Sequence, residues 1–148
     1  MTVLGAKPKP FRLRAPVVAE DDIHTAVAKA LDVLLLPPAV WTCFPAGNIP
    51  LPAIWAAKLA RMGLKRGWPD ILILCGKLYG IELKRVGGTL SKTRMVRSRR
   101  GGLREVVGQV EVFPRLLAAG FAAIVVCHSV DEVIAAARSL GLPLRPTY

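Results

Sequence analysis

The sequence predicts a single α/β domain in which helices cover a mixed β-sheet. Its 148 residues suffice for one domain with a sizeable core, and a hydrophobic fraction of 53% with only 6% aromatic residues makes that core aliphatic. Apolar residues recur at helical spacing in some segments and form short continuous runs in others. Their order along the chain is a helix, three strands with a helix inserted after the first, a helix, a strand and a final helix.

The chain begins with a basic arm followed by a helix. Residues 1–18 contain three prolines, which block helix formation, so we expect an extended arm that contacts DNA or a partner subunit, or else a loosely ordered tail. Residues 20–36 carry apolar side chains at helical spacing, and Pro37-Pro38 ends this helix. Residues 40–44 then form a short strand.

A second helix is predicted between the first two strands. It begins with Pro52 in its first turn and ends at Arg61 or Met62, because Gly63 suits the position just after a helix. Trp55 and Leu59 are expected to pack inward.

The next segment is a predicted β-hairpin with charged residues at its ends. Two apolar runs within residues 71–81 flank a break at Gly76-Lys77, a pattern typical of a hairpin. The hairpin nevertheless begins after Asp70 and ends with Glu82 and Lys84. Charged groups are rare in such apolar surroundings unless they are paired or bind a metal. Glu82 and Lys84 are two residues apart, so on a strand their side chains point to the same face.

The register of this hairpin decides whether its carboxylates can meet. A two-residue turn at Gly76-Lys77 would pair Ile71 with Glu82 and place Asp70 on the opposite face from Glu82. A site that uses both carboxylates needs them on one face. We therefore predict a one-residue offset, made by a three-residue turn or a bulge, or a bend that re-aims Asp70.

A loop and a third helix are expected after the hairpin. Residues 86–102 are bounded by glycine pairs and predict the loop, whereas residues 103–119 predict the helix. Pro114 removes a backbone donor and is expected to kink or restart that helix. Its apolar stripe consists of Val106, Val110, Phe113 and Leu117.

The last elements are a strand and a capped helix. Residues 121–127 are apolar and partly β-branched, which indicates a buried strand. Ser129 with Glu132 three residues later is the pattern of a capping box, and Gly141 ends the helix that follows. Residues 142–148 are expected to form a tail.

Composition limits the classes of function. The net charge of +11 indicates a polyanionic partner, nucleic acid before an acidic membrane. No apolar stretch is long enough to span a membrane, and residues 1–14 lack the apolar centre of a signal peptide, so we expect a cytosolic protein. Cys43, Cys75 and Cys127 lack metal-ligand spacing and are predicted to be reduced core residues.

Basic residues concentrate in two places. Lys65 and Arg66 directly precede the hairpin, close enough to contact phosphates, and nearby Trp68 is assigned to core packing before base stacking. A second cluster lies between Ser91 and Glu105, where Glu105 is the only acid. This cluster comprises Lys92, Arg94, Arg97, Arg99, Arg100 and Arg104.

Several short motifs in the middle of the chain resemble a known nuclease family. Pro69-Asp70 followed by Glu82-x-Lys84 is similar to the PD-(D/E)XK motif, and residues from about 20 to about 144 resemble the VRR-NUC branch of that superfamily. The motifs are Ala56-Ala57-Lys58-Leu59, Met62-Gly63, Lys65-Arg66-Gly67-x-Pro69-Asp70, Ile81-Glu82-Leu83-Lys84 and Gly88-x-Leu90-Ser91. The resemblance implies a PD-(D/E)XK restriction-endonuclease-like core of order α-β-β-β-α-β, which here occupies residues 19–148.

The resemblance adds two residues to the predicted site. Family members carry a Glu at the start of the first helix, which matches Glu20; because Asp21 and Asp22 already complement the helix dipole, Glu20 is available for catalysis. The family also has a Gln opening a helix shortly after a Leu-Ser pair. That Gln fits Gln109 once a basic insertion of 15 residues, at about residues 92–106, is allowed. We expect this insertion to be a mobile, DNA-contacting loop or a helix extension.

These residue types suit metal-assisted phosphodiester hydrolysis. Carboxylates such as Glu20, Asp70 and Glu82, with the backbone carbonyl of Leu83, are the oxygen ligands that Mg²⁺ or Mn²⁺ prefers, whereas zinc is disfavoured by the lack of a Cys/His cluster. Lys84 is expected to orient the attacking water or to stabilise the phosphorane. Gln109 is expected to brace the water or Lys84.

The function implied is a metal-dependent DNA endonuclease that leaves a 5′ phosphate and a 3′ hydroxyl. Stand-alone domains of this type are associated with phages and bacteria, and the family with branched, flapped or Holliday-junction DNA, so the resemblance implies such a substrate and a homodimer acting in the host cytosol. Two alternatives remain open at this point. One is a non-catalytic DNA-binding module with a degenerate nuclease fold, and the other is an RNA-processing nuclease of the same fold.

Overall fold

The computed structural model describes residues 18–44 and 51–146. Ten elements follow one another along this part of the chain. They are α1 (Glu20–Leu34), β1 (Val40–Cys43), α2 (Ala53–Arg61), β2 (Ile71–Cys75), β3 (Lys77–Leu83), β4 (Arg94–Arg97), β5 (Leu103–Val106), α3 (Gln109–Ala118), β6 (Phe121–Cys127) and α4 (Val130–Ser139). Residues 1–17, nearly all of the arm predicted for residues 1–18, lie outside the described residues.

A mixed four-stranded sheet forms the centre of the domain. Its strand order is β1-β2-β3-β6, with antiparallel pairing except between β3 and β6, which run parallel. Helices α1 and α4 pack on one face over Ile71, Ile73, Ile81 and Leu83, and α3 packs on the other face. This arrangement confirms the predicted α/β class with a mixed sheet flanked by helices. In the described residues no helix is both long and apolar enough to cross a membrane.

The β2–β3 hairpin has the predicted one-residue offset. Ile71 pairs with Ile81, and Cys75 pairs with Lys77, so that Gly76 alone stands at the apex of the turn with a φ of 65°. Glycine adopts this left-handed conformation without steric cost. Continued by one residue, the register places Asp70 opposite Glu82, on the same face of the sheet.

The basic insertion is a second hairpin, so the predicted loop and helix extension were both wrong. Strands β4 and β5 pair from Arg94 with Val106 to Arg97 with Leu103 and form a separate two-stranded sheet. We call residues 94–106 the arginine hairpin. Each strand contains two apolar and two charged residues, the β-branched Val96 and Val106 favour an extended backbone, and Gly101 with a φ of 84° supports the turn.

Helix α3 therefore begins at Gln109 rather than at residue 103. Its buried residues are Gln109, Phe113 and Leu116, whereas Val110 and Leu117 of the predicted stripe are exposed. The predicted stripe assumed that the helix begins six residues earlier. Because Val106 instead belongs to β5, the buried face of the helix runs through Gln109, Phe113 and Leu116. Pro114 lies inside this helix, which runs through it unbroken.

Three smaller expectations need correction. Trp55 was expected to pack inward, but no residue of α2 is buried, and the Trp55 side chain is 53% exposed beneath the Lys58 ammonium group. Cys43 is exposed at the edge strand rather than in the core, although all three cysteines are free as predicted. The C-terminal segment is packed rather than a simple tail, because Leu144 bridges to Leu35.

The capping box of the last helix is confirmed at its first hydrogen bond. The Ser129 side chain accepts a hydrogen bond from the Glu132 backbone N–H at 3.2 Å. The Glu132 carboxylate accepts from the His128 backbone N–H at 2.8 Å, one residue before the position expected of a capping box.

Gly80 is predicted to be required for the close packing of Pro69, the residue before Asp70, against β3. A Cβ atom at Gly80 would lie 2.6 Å from Cγ of Pro69, a fully buried ring that cannot rotate away. Gly80→Ala should therefore lower the free energy of unfolding by about 1–3 kcal/mol through overpacking, measured by chemical denaturation. Gly102→Ala is the matched control, because its Cβ would meet only ordinary contact. Equal stability of both variants would contradict this account.

Candidate active site

Three charged residues predicted from the hairpin meet at one end of the sheet. Asp70 immediately precedes β2, Glu82 lies near the end of β3, and Lys84 follows β3 directly. Asp70 is 7% exposed and Glu82 is completely buried. Lys84 is half-buried and extends to the same face as Glu82. The strand register described above therefore brings these three predicted residues together.

Asp70 is held through both its main chain and its side chain. Its carbonyl oxygen accepts a hydrogen bond from the Phe44 N–H at 2.7 Å, and its Oδ2 accepts from the Leu83 N–H at 2.8 Å. The second bond crosses from the start of β2 to the end of β3. It fixes the aspartate carboxylate beside the chain segment that carries Glu82.

Glu82 is a buried carboxylate with one satisfied oxygen and one orphan. Its Oε1 accepts from Lys84 Nζ at 2.6 Å and from Gln109 Nε2. Its Oε2 is buried and has no hydrogen-bond partner within residues 18–44 and 51–146. Leaving such an atom unsatisfied is costly, and a bound water or cation would satisfy it.

Lys84 lies between two carboxylates that come from opposite sides of the sheet end. Its Nζ is 2.6 Å from Glu82 Oε1 and 3.6 Å from Glu20 Oε1. Glu20 opens α1, so the helix brings it to the site as expected, and its side chain remains about one-third exposed. The carboxylates of Glu20, Asp70 and Glu82 thus all act on the Lys84 ammonium group.

Gln109 reaches the site from the opposite helix, at the first position of α3. The sequence suggested that it braces water or Lys84, but the structure shows it donating to Glu82 instead. Its Oε1 accepts from the Ser91 N–H at 3.2 Å, and its own N–H donates to Ser91 Oγ at 3.0 Å. The sequence assigns Ser91 no role in the site, because a serine 18 residues before a glutamine gives no local signal of this contact.

Burial sets the electrostatics of the site. The pKa of Asp70 is raised above its ordinary value by burial, although the Leu83 N–H and the Lys84 charge work against the shift. The pKa of Glu82 is raised by burial and by the neighbouring charge of Asp70. Burial lowers the pKa of Lys84, but the hydrogen bond to Glu82 and the three surrounding carboxylates outweigh it and raise that pKa overall. Lys84 is therefore a cation at neutral pH.

An open cleft of about 480 Å³ connects the site to the basic segments of the chain. Asp70, Lys84 and Gln109 line it together with three predicted phosphate-binding residues, Arg66, Lys92 and Arg94. A neighbouring cleft of about 440 Å³ is lined by Lys65, Arg66 and Arg104. The remaining three predicted residues, Arg97, Arg99 and Arg100, line neither cleft and are exposed on the arginine hairpin.

Trp68 contributes packing beside the cleft, as predicted. Its ring contacts Phe44 with centroids 5.3 Å apart and meets Phe121 edge-on at 5.8 Å. These contacts anchor the loop before Asp70 against the sheet.

The donor set fits a hard divalent cation in its chemistry. Carboxylate oxygens of Asp70 and Glu82 line one face of the sheet, and the orphaned Oε2 of Glu82 has a lone-pair site that no described residue fills. No group of three or more His, Cys, Asp or Glu side chains within the described ranges is arranged to hold a metal ion. The Lys84 ammonium group stands between Glu20 and Glu82, so Glu20 faces that ammonium group.

Comparison with known proteins returns no counterpart: no family model, no curated protein and no solved structure matches the chain.

The metal-free protein should become more stable when Asp70 loses its charge. Because folding raises the pKa of Asp70, its contribution to stability is most favourable at acid pH and is lost as the pH rises above the ordinary value of 3.8 towards the folded value. Asp70→Asn keeps an acceptor for the Leu83 N–H and should raise the midpoint of thermal unfolding at neutral pH in EDTA. The advantage should vanish near pH 3.

Asp32→Asn is the control, because Asp32 is an exposed residue of α1. A lower melting temperature for Asp70→Asn at neutral pH in EDTA, relative to wild type, would contradict the assignment of a destabilising buried charge.

Proposed function

We propose that this protein is a metal-dependent DNA endonuclease of the PD-(D/E)XK type, as its resemblance to the VRR-NUC family implies. The observation that carries the proposal is the meeting of two buried carboxylates, Asp70 and Glu82, with a charged lysine at one end of adjacent strands. These are the residues and the spacing of the superfamily motif, and Asp70 and Lys84 line a cleft bordered by basic residues.

The acidic pair is matched to a divalent cation. Asp70 and Glu82 would hold the ion, with the Leu83 carbonyl as a further oxygen donor, whereas Glu20, which the sequence also predicted as a ligand, faces the Lys84 ammonium group. When bound, Mg²⁺ or Mn²⁺ would supply Lewis-acid chemistry, polarising water and the phosphoryl oxygens so that developing charge is neutralised. Proton release from two carboxyl groups of raised pKa would accompany binding, so we expect affinity for the ion to increase with pH.

Lys84 is suited to stabilise charge rather than to accept a proton. In the metal-free protein its raised pKa keeps the ammonium form at neutral pH, which favours a role as a cation over a role as a general base. An ammonium group at the mouth of the cleft can bind a nonbridging phosphoryl oxygen and stabilise the negative charge of the transition state. Of the two roles expected from the sequence, the stabilising role is the one that this electrostatic setting favours.

Gln109 and Ser91 would act as positioning residues for this chemistry. Gln109 donates to Glu82 Oε1 and is itself held by Ser91, which limits the rotamers of the glutamate. Oxygen ligands held in this way are pre-organised for a cation.

The basic border of the cleft supports nucleic acid as the substrate. Arg66, Lys92 and Arg94 lie on its rim, where they would bind phosphates on either side of the scissile bond. A branched substrate and a homodimer follow from the family resemblance, since a four-way junction and a dimer share two-fold symmetry. Activity in the host cytosol stays a prediction of the same kind.

The non-catalytic alternative makes the buried carboxylates hard to explain. A module that only binds DNA gains nothing from two buried acidic groups. Their burial opposes folding, and their negative charge opposes the attraction of a polyanion. A cation-binding role gives these groups a function.

Cleavage should require Asp70 and Lys84. With Mg²⁺ or Mn²⁺ and a panel of linear, flapped and four-way DNA, we expect wild-type protein to cut at least one substrate and to be inactive in EDTA. Asp70→Ala and Lys84→Ala should each lower the rate of cutting by about 10²-fold or more, because each removes charge stabilisation in the transition state. Asp70→Ala should bind DNA in EDTA within a few-fold of wild type.

Asp32→Ala serves as the matched acidic control and should cut at the wild-type rate, since its side chain is exposed on α1. Undiminished cutting by Asp70→Ala would remove Asp70 from the site, and failure of the folded wild-type protein to cut any substrate would refute the proposed function.

A further inference from the structure

The arginine hairpin stands apart from the rest of the domain. Its two strands form a separate sheet, and neither strand packs extensively against another element within residues 18–44 and 51–146. Met95 and Leu103 are more than half exposed on one face of the ribbon. A segment that contributes so little to the core is available for binding.

The charge of the hairpin favours a polyanion. Five arginines against one acid, Glu105, cover a ribbon only two strands wide. They are Arg94, Arg97, Arg99, Arg100 and Arg104, all of them exposed. Charge of one sign on a narrow, exposed element is the feature expected of a nucleic-acid contact.

The tip of the hairpin is a defined turn rather than a loose loop. The Gly101 N–H donates to the Ser98 carbonyl at 3.0 Å, and the Ser98 N–H donates to the Gly102 carbonyl at 2.7 Å. Gly101 has the left-handed φ of 84° that completes such a turn. Arg99 and Arg100 occupy its two corner positions, so the backbone that carries these two side chains has a defined conformation.

The base of the hairpin is fixed to the candidate active site. The Gly108 N–H donates to Thr93 Oγ1 at 3.0 Å, and a Cβ atom on Gly108 would lie only 2.3 Å from the Ser91 carbonyl oxygen. The two legs of the hairpin therefore approach each other closely. They continue into Ser91 and Gln109, which are hydrogen-bonded to each other, and Gln109 donates to Glu82. A nucleic acid bound by the hairpin is thus held next to the catalytic carboxylates.

Cross-strand pairing divides the arginines between two faces. Arg94 pairs with Val106, and Val96 with Arg104, so both arginines share the face that lines the clefts. Arg97 pairs with Leu103 and belongs to the outer face. The inner arginines are placed for phosphates near the scissile bond, whereas Arg97 and the tip project away from the clefts.

We propose that the arginine hairpin enters the major groove of B-form DNA beside the scissile phosphate, which makes duplex DNA rather than double-stranded RNA the substrate. The B-form major groove is about 12 Å wide and admits a two-stranded ribbon. The A-form major groove of RNA is deep and too narrow for side chains to read. This assignment rests on the proposed endonuclease function and adds the helical form of its substrate.

The corner arginines are suited to base edges in that groove. Arginine binds O6 and N7 of guanine with two hydrogen bonds, and both acceptors face the major groove. Arg94 and Arg104 at the base would contact phosphates and set the register without reading sequence.

Binding in EDTA tests the assignment without any need for cleavage. Fluorescence anisotropy compares a short DNA duplex with an RNA duplex of the same sequence, for wild type, Arg99→Gln/Arg100→Gln and the control Lys29→Gln/Lys77→Gln. The control removes the same charge from exposed positions on α1 and at the start of β3. The tip variant should lose about tenfold in affinity for DNA, because its hydrogen bonds to guanine are lost, and its salt dependence should flatten by less than the roughly 1.8 expected for two lost phosphate contacts.

The RNA duplex should bind more weakly to wild-type protein and should lose little affinity in the tip variant. Equal affinity for the two duplexes, or an equal loss on both, would overturn the groove assignment and leave a contact with phosphates alone.

Dimethyl sulfate footprinting supplies the independent readout. Methylation of guanine N7 in the major groove should be blocked by wild type and restored in the tip variant, while Lys29→Gln/Lys77→Gln keeps the protection. Unprotected N7 in a saturated wild-type complex would overturn the proposal even if the protein cuts DNA. Protection of N7 without any metal-dependent cutting would instead support the groove contact and refute the proposed catalysis.

Discussion

The candidate site depends on the register of a single pair of strands. Gly76 alone forms the apex between β2 and β3, and this brings Asp70 opposite Glu82. A shift by one residue would send one of the two carboxylates to the other face of the sheet, because side chains alternate along a strand. The hydrogen bond from the Leu83 N–H to Asp70 Oδ2 ties the ends of both strands together. The tight packing of Pro69 against Gly80 fixes this same end of the two strands.

Around that register, the chain holds acidic groups in a buried place at a cost in stability. Lys84 and Gln109 satisfy one oxygen of Glu82, and the other remains without a partner among the described residues. Natural proteins keep such unfavourable groups where they serve binding or catalysis. The arginine hairpin follows Ser91, which is hydrogen-bonded to Gln109. The buried carboxylates and the arginine hairpin are therefore connected through this pair of residues.

Much of this arrangement was predictable because its signals are local. Alternation and glycine placement predict the β2–β3 hairpin, and charged residues at its ends require the offset register that the structure shows. The apolar spacing of α1 and the Ser129 cap are equally local, and both were confirmed. Glu20, Asp70, Glu82 and Lys84 do come together. Their roles in binding a metal and in cutting DNA stay predictions, as does the VRR-NUC resemblance.

The errors concern features that only the folded chain decides. The strands of the arginine hairpin have only two apolar residues each among their charged ones, so they contain neither an apolar run nor an alternating pattern that would predict a strand. Assigning its second strand to a helix displaced the start of α3 and the face of that helix. The contact between Gln109 and Ser91 spans 18 residues, so no local pattern contains it. Trp55 looked like a core residue, yet α2 has no buried side chain.

The most direct measurement is the location of a bound cation. Crystals soaked in Mn²⁺ should give an anomalous-scattering peak within coordination distance of both the Asp70 and Glu82 carboxylates, and crystals of Asp70→Asn should lack it. A peak that survives in Asp70→Asn, or wild-type crystals in which Mn²⁺ binds only elsewhere, would contradict the claim that this strand register exists to hold a metal.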